Sequence, residues 1–205
     1  MFKKLVFLIA LLLPINVVAD SCIKYKIKPE INVKNPSWNK TIILSKEWEN
    51  KLHGHVTATM IDDYDIVVDI IPTNGGYCVY LKNVDSNIGY NEFDVKIDAG
   101  HIPGSCSYNA VLEHEDKHIQ AYLSVIIDLN KELRNAVFDA ANSIMPVFVN
   151  KKEDIDTVVE NMNYEMQKHP ELVLIKQKIN AAQEIRNKRV DQNEDNSSLR
   201  ACFGG

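Results

Sequence analysis

The sequence predicts an α+β fold, and three observations carry the prediction. Short runs of alternating apolar and polar residues fill the chain as far as Asp98, and a period of two is that of a half-buried strand. Between 111 and 144 apolar residues instead recur three and four positions apart, as on a helix with one buried face. The strand-rich half precedes the helix-rich half without interleaving, the order of an N-terminal antiparallel sheet followed by a long helix and C-terminal helices.

The first residues read as a targeting signal. Lys3 and Lys4 precede an apolar run at 5–13, Pro14 breaks it, and Val17-Val18-Ala19 ends in a small residue. The run is too short to span a bilayer and has the layout of a signal peptide. Cleavage after Ala19 leaves a catalytic-domain candidate at 20–190 and a polar tail at 191–205. A lipid anchor on Cys22 is disfavoured, because Ala19 stands where a lipobox prefers Leu.

Strands are expected at 22–27, 56–60, 64–71, 77–81 and 93–98, with Pro29 and Asn35-Pro36 as punctuation. Asn74-Gly75-Gly76 is a turn signal that makes 64–71 and 77–81 a hairpin. The stretch 38–52 is ambiguous, and Ser45-Lys46-Glu47-Trp48-Glu49 also suits the start of a short helix. Ser105 or Ser107 is the N-cap of the long helix, and Pro146 stops it. A second helix is expected at 151–168, with Ile155, Val158, Val159, Met162 and Met166 on one stripe. Pro170 interrupts, and 172–189 forms a third helix or a kinked continuation.

The chain of 205 residues carries a net charge of −5, and signal cleavage removes Lys3 and Lys4 but no acid, taking it to −7. That balance argues against nucleic acid or an anionic membrane surface as partner. No second apolar run is long enough for membrane insertion after cleavage, so an exported protein, periplasmic or secreted, is expected. Cys22, Cys78, Cys106 and Cys202 lack zinc-finger spacing, and an even number in an exported chain suggests two disulfides. Cys78 lies in the sheet behind Cys106 at the helix start, which favours Cys78–Cys106 and leaves Cys22–Cys202 to join the termini.

On the long helix stands His114-Glu115-Asp116-Lys117-His118. Residues four apart on a helix share a face, so His114 and His118 point the same way, at a separation that suits one metal ion. Glu115 is one step round the helix, where a carboxylate reaches a water at that metal. Two imidazole ligands, an open coordination position and a carboxylate general base are the parts of a zinc hydrolase. Asp116 and Lys117 depart from the usual uncharged middle positions and require a solvated back face. The remaining histidines read as non-ligating: His53 and His55 as a solvated strand start, His101 as a surface loop residue, His169 as a helix end.

A catalytic zinc normally has three protein ligands. Asp128 and Glu132 share the histidine face but lie too far along the axis; Glu132 is about 27 Å from His114 at 1.5 Å per residue. The third ligand should therefore come from a returning segment. A fold-back near Pro146 puts 178–184 opposite the motif, and Glu160, Glu165 and Glu184 stay open as candidates.

The motif resembles that of the zincin superfamily of zinc metallopeptidases. Taken with Gly104-Ser105-Cys106-Ser107-Tyr108 and Ala110-Val111-Leu112, it is similar to a group of small exported bacterial proteins described as secreted zinc-dependent proteases. Cys78 after Gly75-Gly76 is consistent with that group. The resemblance covers 104–123. It implies one Zn2+ per chain, His114 and His118 as metal ligands, Glu115 as catalytic base, and a peptide or protein substrate. Ser124 stands where the final histidine of a metzincin would be, so a site with a downstream Glu is the closer analogue. Two other readings stay open: a cell-wall peptide hydrolase with the same chemistry, and a non-catalytic periplasmic binding or adaptor protein. The substrate and the oligomeric state are not legible.

Overall fold

Two long strands form one hairpin that organises the chain. The computed structural model describes residues 20–46, 53–193 and 201–202; the expected leader at 1–19, the 47–52 part of the ambiguous stretch and most of the expected tail lie outside them. The described elements are α1 (Asp20–Ile23), β1 (Glu30–Lys34), β2 (Asn39–Ser45), β3 (Gly54–Thr73), β4 (Gly76–Asp98), α2 (Cys106–Ser143), β5 (Val147–Val149), a 3-10 turn (Lys152–Asp154), α3 (Ile155–Gln167) and α4 (Pro170–Asn193). The fold class is α+β, as the order of periodicities requires.

The expected strands at 56–60 and 64–71 are one strand, β3, and those at 77–81 and 93–98 are one strand, β4. They pair antiparallel from Thr73↔Gly76 to Gly54↔Ile97, with register shifts between Thr59 and Met60 and between Val67 and Val68. Each shift is a bulge, which breaks the alternation in the sequence without ending the strand. The turn is the one signalled by Asn74-Gly75-Gly76. Gly75 has φ 92, in the left-handed region that only glycine enters at little cost.

The sheet is mixed rather than wholly antiparallel. β4 is central. β3 runs along one side of it, while β5, β1 and β2 occupy the other side in succession. β1 and β2 pair with β4 in parallel. The connectivity requires this for β2. Ser45 at its end faces Asp98, Gly54 at the start of β3 faces Ile97, and β3 runs opposite to β4 from there. A strand arriving at that same end must run with β4.

Helix α2 lies across one face of the sheet. Ser105 is its N-cap, with Oγ accepting from Tyr108 N at 3.2 Å. Its buried residues Val111, Ile119, Val125, Ile126, Leu133 and Val137 join Val84, Ile88, Phe93, Val95 and Ile97 of β4 in one core. A fully buried aliphatic side chain of this core stabilises by roughly 1.5–3 kcal/mol relative to leaving it exposed. Helix α4 returns beside α2. Lys178 pairs with Glu132 at 2.7 Å, Arg186 with Asp128, and Leu172, Ile175 and Ile179 enter the core. Lys176 pairs with Asp62 and so ties α4 to β3. Helix α3 covers a smaller cluster of Val79, Val149, Ile155, Val158 and Met162.

Both disulfides differ from the expected pairing. They are Cys22–Cys78 and Cys106–Cys202, each with Cα atoms 5.5 Å apart. The expectation placed Cys78 and Cys106 together behind one helix. Because β4 is a single strand, Cys78 near its beginning and Cys106 beyond its end lie at opposite ends of the sheet. Bridged cysteines need Cα atoms within about 7 Å. The alternating stretch at 22–27 is likewise no strand; α1 and a turn occupy it, and its Cys22 is joined to β4. Two disulfides mark a chain that folds in an oxidising, non-cytoplasmic compartment. Among the described residues no helix is long and apolar enough to cross a membrane.

Candidate metal centre

Seen down its axis, α2 divides its motif among three neighbours. Val111, Glu115 and Ile119 are buried and face the sheet. Asp116 points to one flank, where Lys40 of β2 donates to it at 2.8 Å. His114 and His118 point to the other flank, towards α4. The charged middle residues of the motif are thus accommodated: Asp116 has Lys40, and Lys117 lies 3.9 Å from Glu113 on the solvent side.

On the α4 flank three donor atoms converge. His118 Nε2 lies 3.1 Å from His114 Nε2 and 3.1 Å from Asp191 Oδ1, and His114 Nε2 lies 3.7 Å from the same oxygen. One ligand atom from each residue falls within 4.8 Å of the others. Ligands on a tetrahedral zinc with bonds of 2.0–2.1 Å stand about 3.3 Å apart, so the set fits one ion. Two imidazoles and a carboxylate are also the donor types of a three-ligand catalytic zinc site, though not of zinc alone.

His118 is oriented from behind. Its Nδ1 lies 2.9 Å from Asn187 Oδ1. An amide oxygen only accepts, so Nδ1 is the donor in this pair, and in the neutral ring that leaves the Nε2 lone pair for a cation. Asn187 also bonds the Tyr122 hydroxyl. Burial raises the pKa of that hydroxyl, and the Asn187 bond partly offsets the shift. Tyr122 packs against Tyr90 and Phe93 at centroid distances of 5.2 and 6.0 Å, so the orientation of the His118 ring is braced through Asn187 by the aromatic core.

Glu115 is 2 % exposed and its carboxylate rests against the first residue of β3. A Cβ on Gly54 would sit 2.9 Å from Glu115 Cδ and 2.7 Å from Val111 Cγ1. Glycine at 54 is what admits the carboxylate between helix and strand.

The residue that lies with the two histidines is Asp191, whereas the candidates Glu160, Glu165 and Glu184 are not in that group. Glu165 lines a separate pocket of about 420 Å³ bounded by Ser143, Met145, Met162 and His169. That pocket is roughly 38 Å along α2 from His118. Glu160 is on the same helix, α3. Glu184 is on the right helix but two turns short. The fold-back estimate ignored β5, the 3-10 turn and α3, which take up chain before the return begins. Asp191 lay beyond the expected boundary at 190, yet α4 continues to Asn193. A signal was available: Asn187 and Asp191 are four apart, like His114 and His118, so two matched pairs face each other across antiparallel helices.

Among the other histidines, His101 is buried at 6 % exposure rather than on the surface, and its Nε2 meets Nδ1 of exposed His53 at 3.0 Å. The segment 93–98 has β2 on one side and β3 on the other. Among the described residues β3 pairs with β4 alone, so its outer side is the free edge. At the start of that edge strand Gly54 lies against Glu115 of the motif, and further along it Asp62 pairs with Lys176 of α4.

Comparison with protein-family models, with curated proteins and with solved structures returns no match for this chain.

Proposed function

We propose that this protein is an exported zinc-dependent peptidase. The observation that carries the reading is the convergence of His114 Nε2, His118 Nε2 and Asp191 Oδ1 within 4.8 Å, next to a buried glutamate on the same helix. A zinc ion held by these residues would polarise the scissile carbonyl and acidify water. His118, braced by Asn187, and His114 hold their lone pairs on one side of α2. Glu115, on the turn that carries both histidines, takes the proton of the attacking water and passes it to the leaving amine. Its contact with Gly54 fixes the carboxylate against the start of β3. The outer edge of β3 offers unpaired backbone groups to an extended peptide by strand addition, which is the substrate geometry a peptidase needs beside its base. The two disulfides agree with export, and the leader at 1–19 would supply it.

Glu115→Gln tests the assignment. It preserves size and hydrogen-bonding reach and removes the proton acceptor. Zinc content should stay near one per chain at this site while hydrolysis of casein falls by roughly 10²–10⁴-fold. His118→Ala should lose that zinc and activity together. Full hydrolysis by Glu115→Gln overturns the role given to Glu115. Unchanged zinc content in His118→Ala overturns the centre itself and leaves the adaptor reading.

A further inference from the structure

A second pair of imidazoles meets at the end of the sheet. His53 directly precedes β3, and His101 lies between β4 and α2. Their facing nitrogens are 3.0 Å apart, with ring centroids at 5.1 Å and planes at 60°. Two imidazoles sharing one tetrahedral ion place their nitrogens about 3.3 Å apart. The pair is therefore within a few tenths of an ångström of that spacing, as are His114 and His118 at 3.1 Å.

Main-chain bonds hold together the segments that carry the two rings. Asp98 N donates to His53 O at 3.0 Å, His101 N to Asp98 O at 2.9 Å, and Ala99 N to Ser45 O at 2.8 Å. The ends of β2, β3 and β4 are thus joined around the pair. His101 is held below the ordinary histidine range by burial first and by His53 second, with the nearby Asp98 carboxylate opposing. Asp98 Oδ1 also accepts from Gly100 N at 2.7 Å, which shapes the loop that carries His101.

We infer that His53 and His101 form a second site for a divalent transition ion of the zinc, nickel and copper class that imidazole takes, distinct from the His114–His118–Asp191 centre. His53 is exposed, so solvent completes the coordination and the ion exchanges more readily than one with three protein ligands. Bound there, it ties the start of β3 to the loop leading into α2. Its effect is on the rigidity of the Gly54 end of β3, not on the chemistry.

The inference is independent of the proposed peptidase activity, and metal binding tests it. The mature chain is stripped with chelator and titrated with Zn2+ by calorimetry, with bound zinc counted by mass spectrometry after desalting. Wild type should bind two ions per chain, and His53→Ala and His118→Ala one each. Because His53 is exposed, its replacement leaves the fold intact, and an unchanged metal-free melting temperature confirms this. If wild type and His53→Ala bind the same number of ions, the pair is a plain hydrogen bond and the inference fails. If wild type binds one ion that His53→Ala abolishes and His118→Ala retains, the second site stands and the catalytic reading falls.

Discussion

Gly54→Ala is the sharpest perturbation of the arrangement. The backbone at Gly54 is not in the left-handed region, where among the described residues the glycines found are Gly75, Gly89 and Gly104, so alanine costs nothing in φ. The cost is steric. The new methyl would stand 2.7 Å from Val111 Cγ1 and 2.9 Å from Glu115 Cδ, closer than real Cβ contacts allow. Val111 is 4 % exposed and Glu115 2 %, so neither side chain has open space to move into. Overpacking of this kind costs about 1–3 kcal/mol. For a domain of this size that is a fall in Tm of roughly 2–12 °C, at about 2–4 °C per kcal/mol. The chemical effect should be larger than the structural one. The group displaced is the carboxylate proposed as base, and its misplacement should cost up to the roughly 10²–10⁴-fold of general-base help. The metal donors lie on another flank of α2, so zinc content should hold. The assay is a thermal melt, a zinc determination and casein hydrolysis on one preparation. A Gly54→Ala protein with unchanged Tm and full hydrolysis would refute the placement of Glu115 against β3. A fully active but destabilised protein would refute its role in the chemistry.

Asp191→Ala should remove the three-donor centre's zinc as completely as His118→Ala, whereas Glu184→Ala should leave it; equilibrium dialysis separates them. Asn187→Ala should weaken zinc binding at that centre about 10–100-fold, the usual effect of losing the partner that orients a ligating histidine. Replacing Cys106 and Cys202 by Ser opens a loop spanning 96 residues, for which the chain-entropy estimate is about 4–5 kcal/mol; the urea midpoint should fall, and zinc affinity with it because the bond anchors the chain just beyond Asp191. Stability should also depend on pH through His101, whose folded pKa is lowered from 6.5. The unfolded chain then binds the proton first, so this contribution is complete above pH 6.5 and is lost as pH falls below it; His101→Gln should flatten that part of a urea-midpoint profile taken from about pH 8 to about pH 5.

What the sequence disclosed follows from how local each signal is. Ser105, Pro146, Gly75 and the stripes of α2 and α3 act within a few residues of themselves, and each was legible. The joining of two short strands into β4 was not, because the bulge opposite Thr59 and Met60 interrupts the alternation while the backbone continues. That one reading misplaced Cys78 relative to Cys106, and the wrong disulfides followed from it. The α2 half of the His114–His118–Asp191 cluster was legible for the same local reason, since His114 and His118 are four residues apart on one helix. The other half was not, because α4 is only weakly amphipathic after Ile179. Ile185 and Val190 are the last branched apolar residues before Asn193, and Ile185 is exposed. By composition this stretch reads as a solvated tail. It is held by polar contacts that no periodicity reports: Arg186 to Asp128, Asn187 to His118, and the Cys106–Cys202 bond beyond. The donor nearest the end of the chain thus sits on the helix segment with the least apolar packing of its own. The order of Asp191 depends on the groups it meets, and a metal ion drawing His114, His118 and Asp191 together would order the end of α4 as it binds. Amide hydrogen exchange across the last two turns of α4 should therefore slow when zinc is added, while exchange in the buried middle of α2 stays the same.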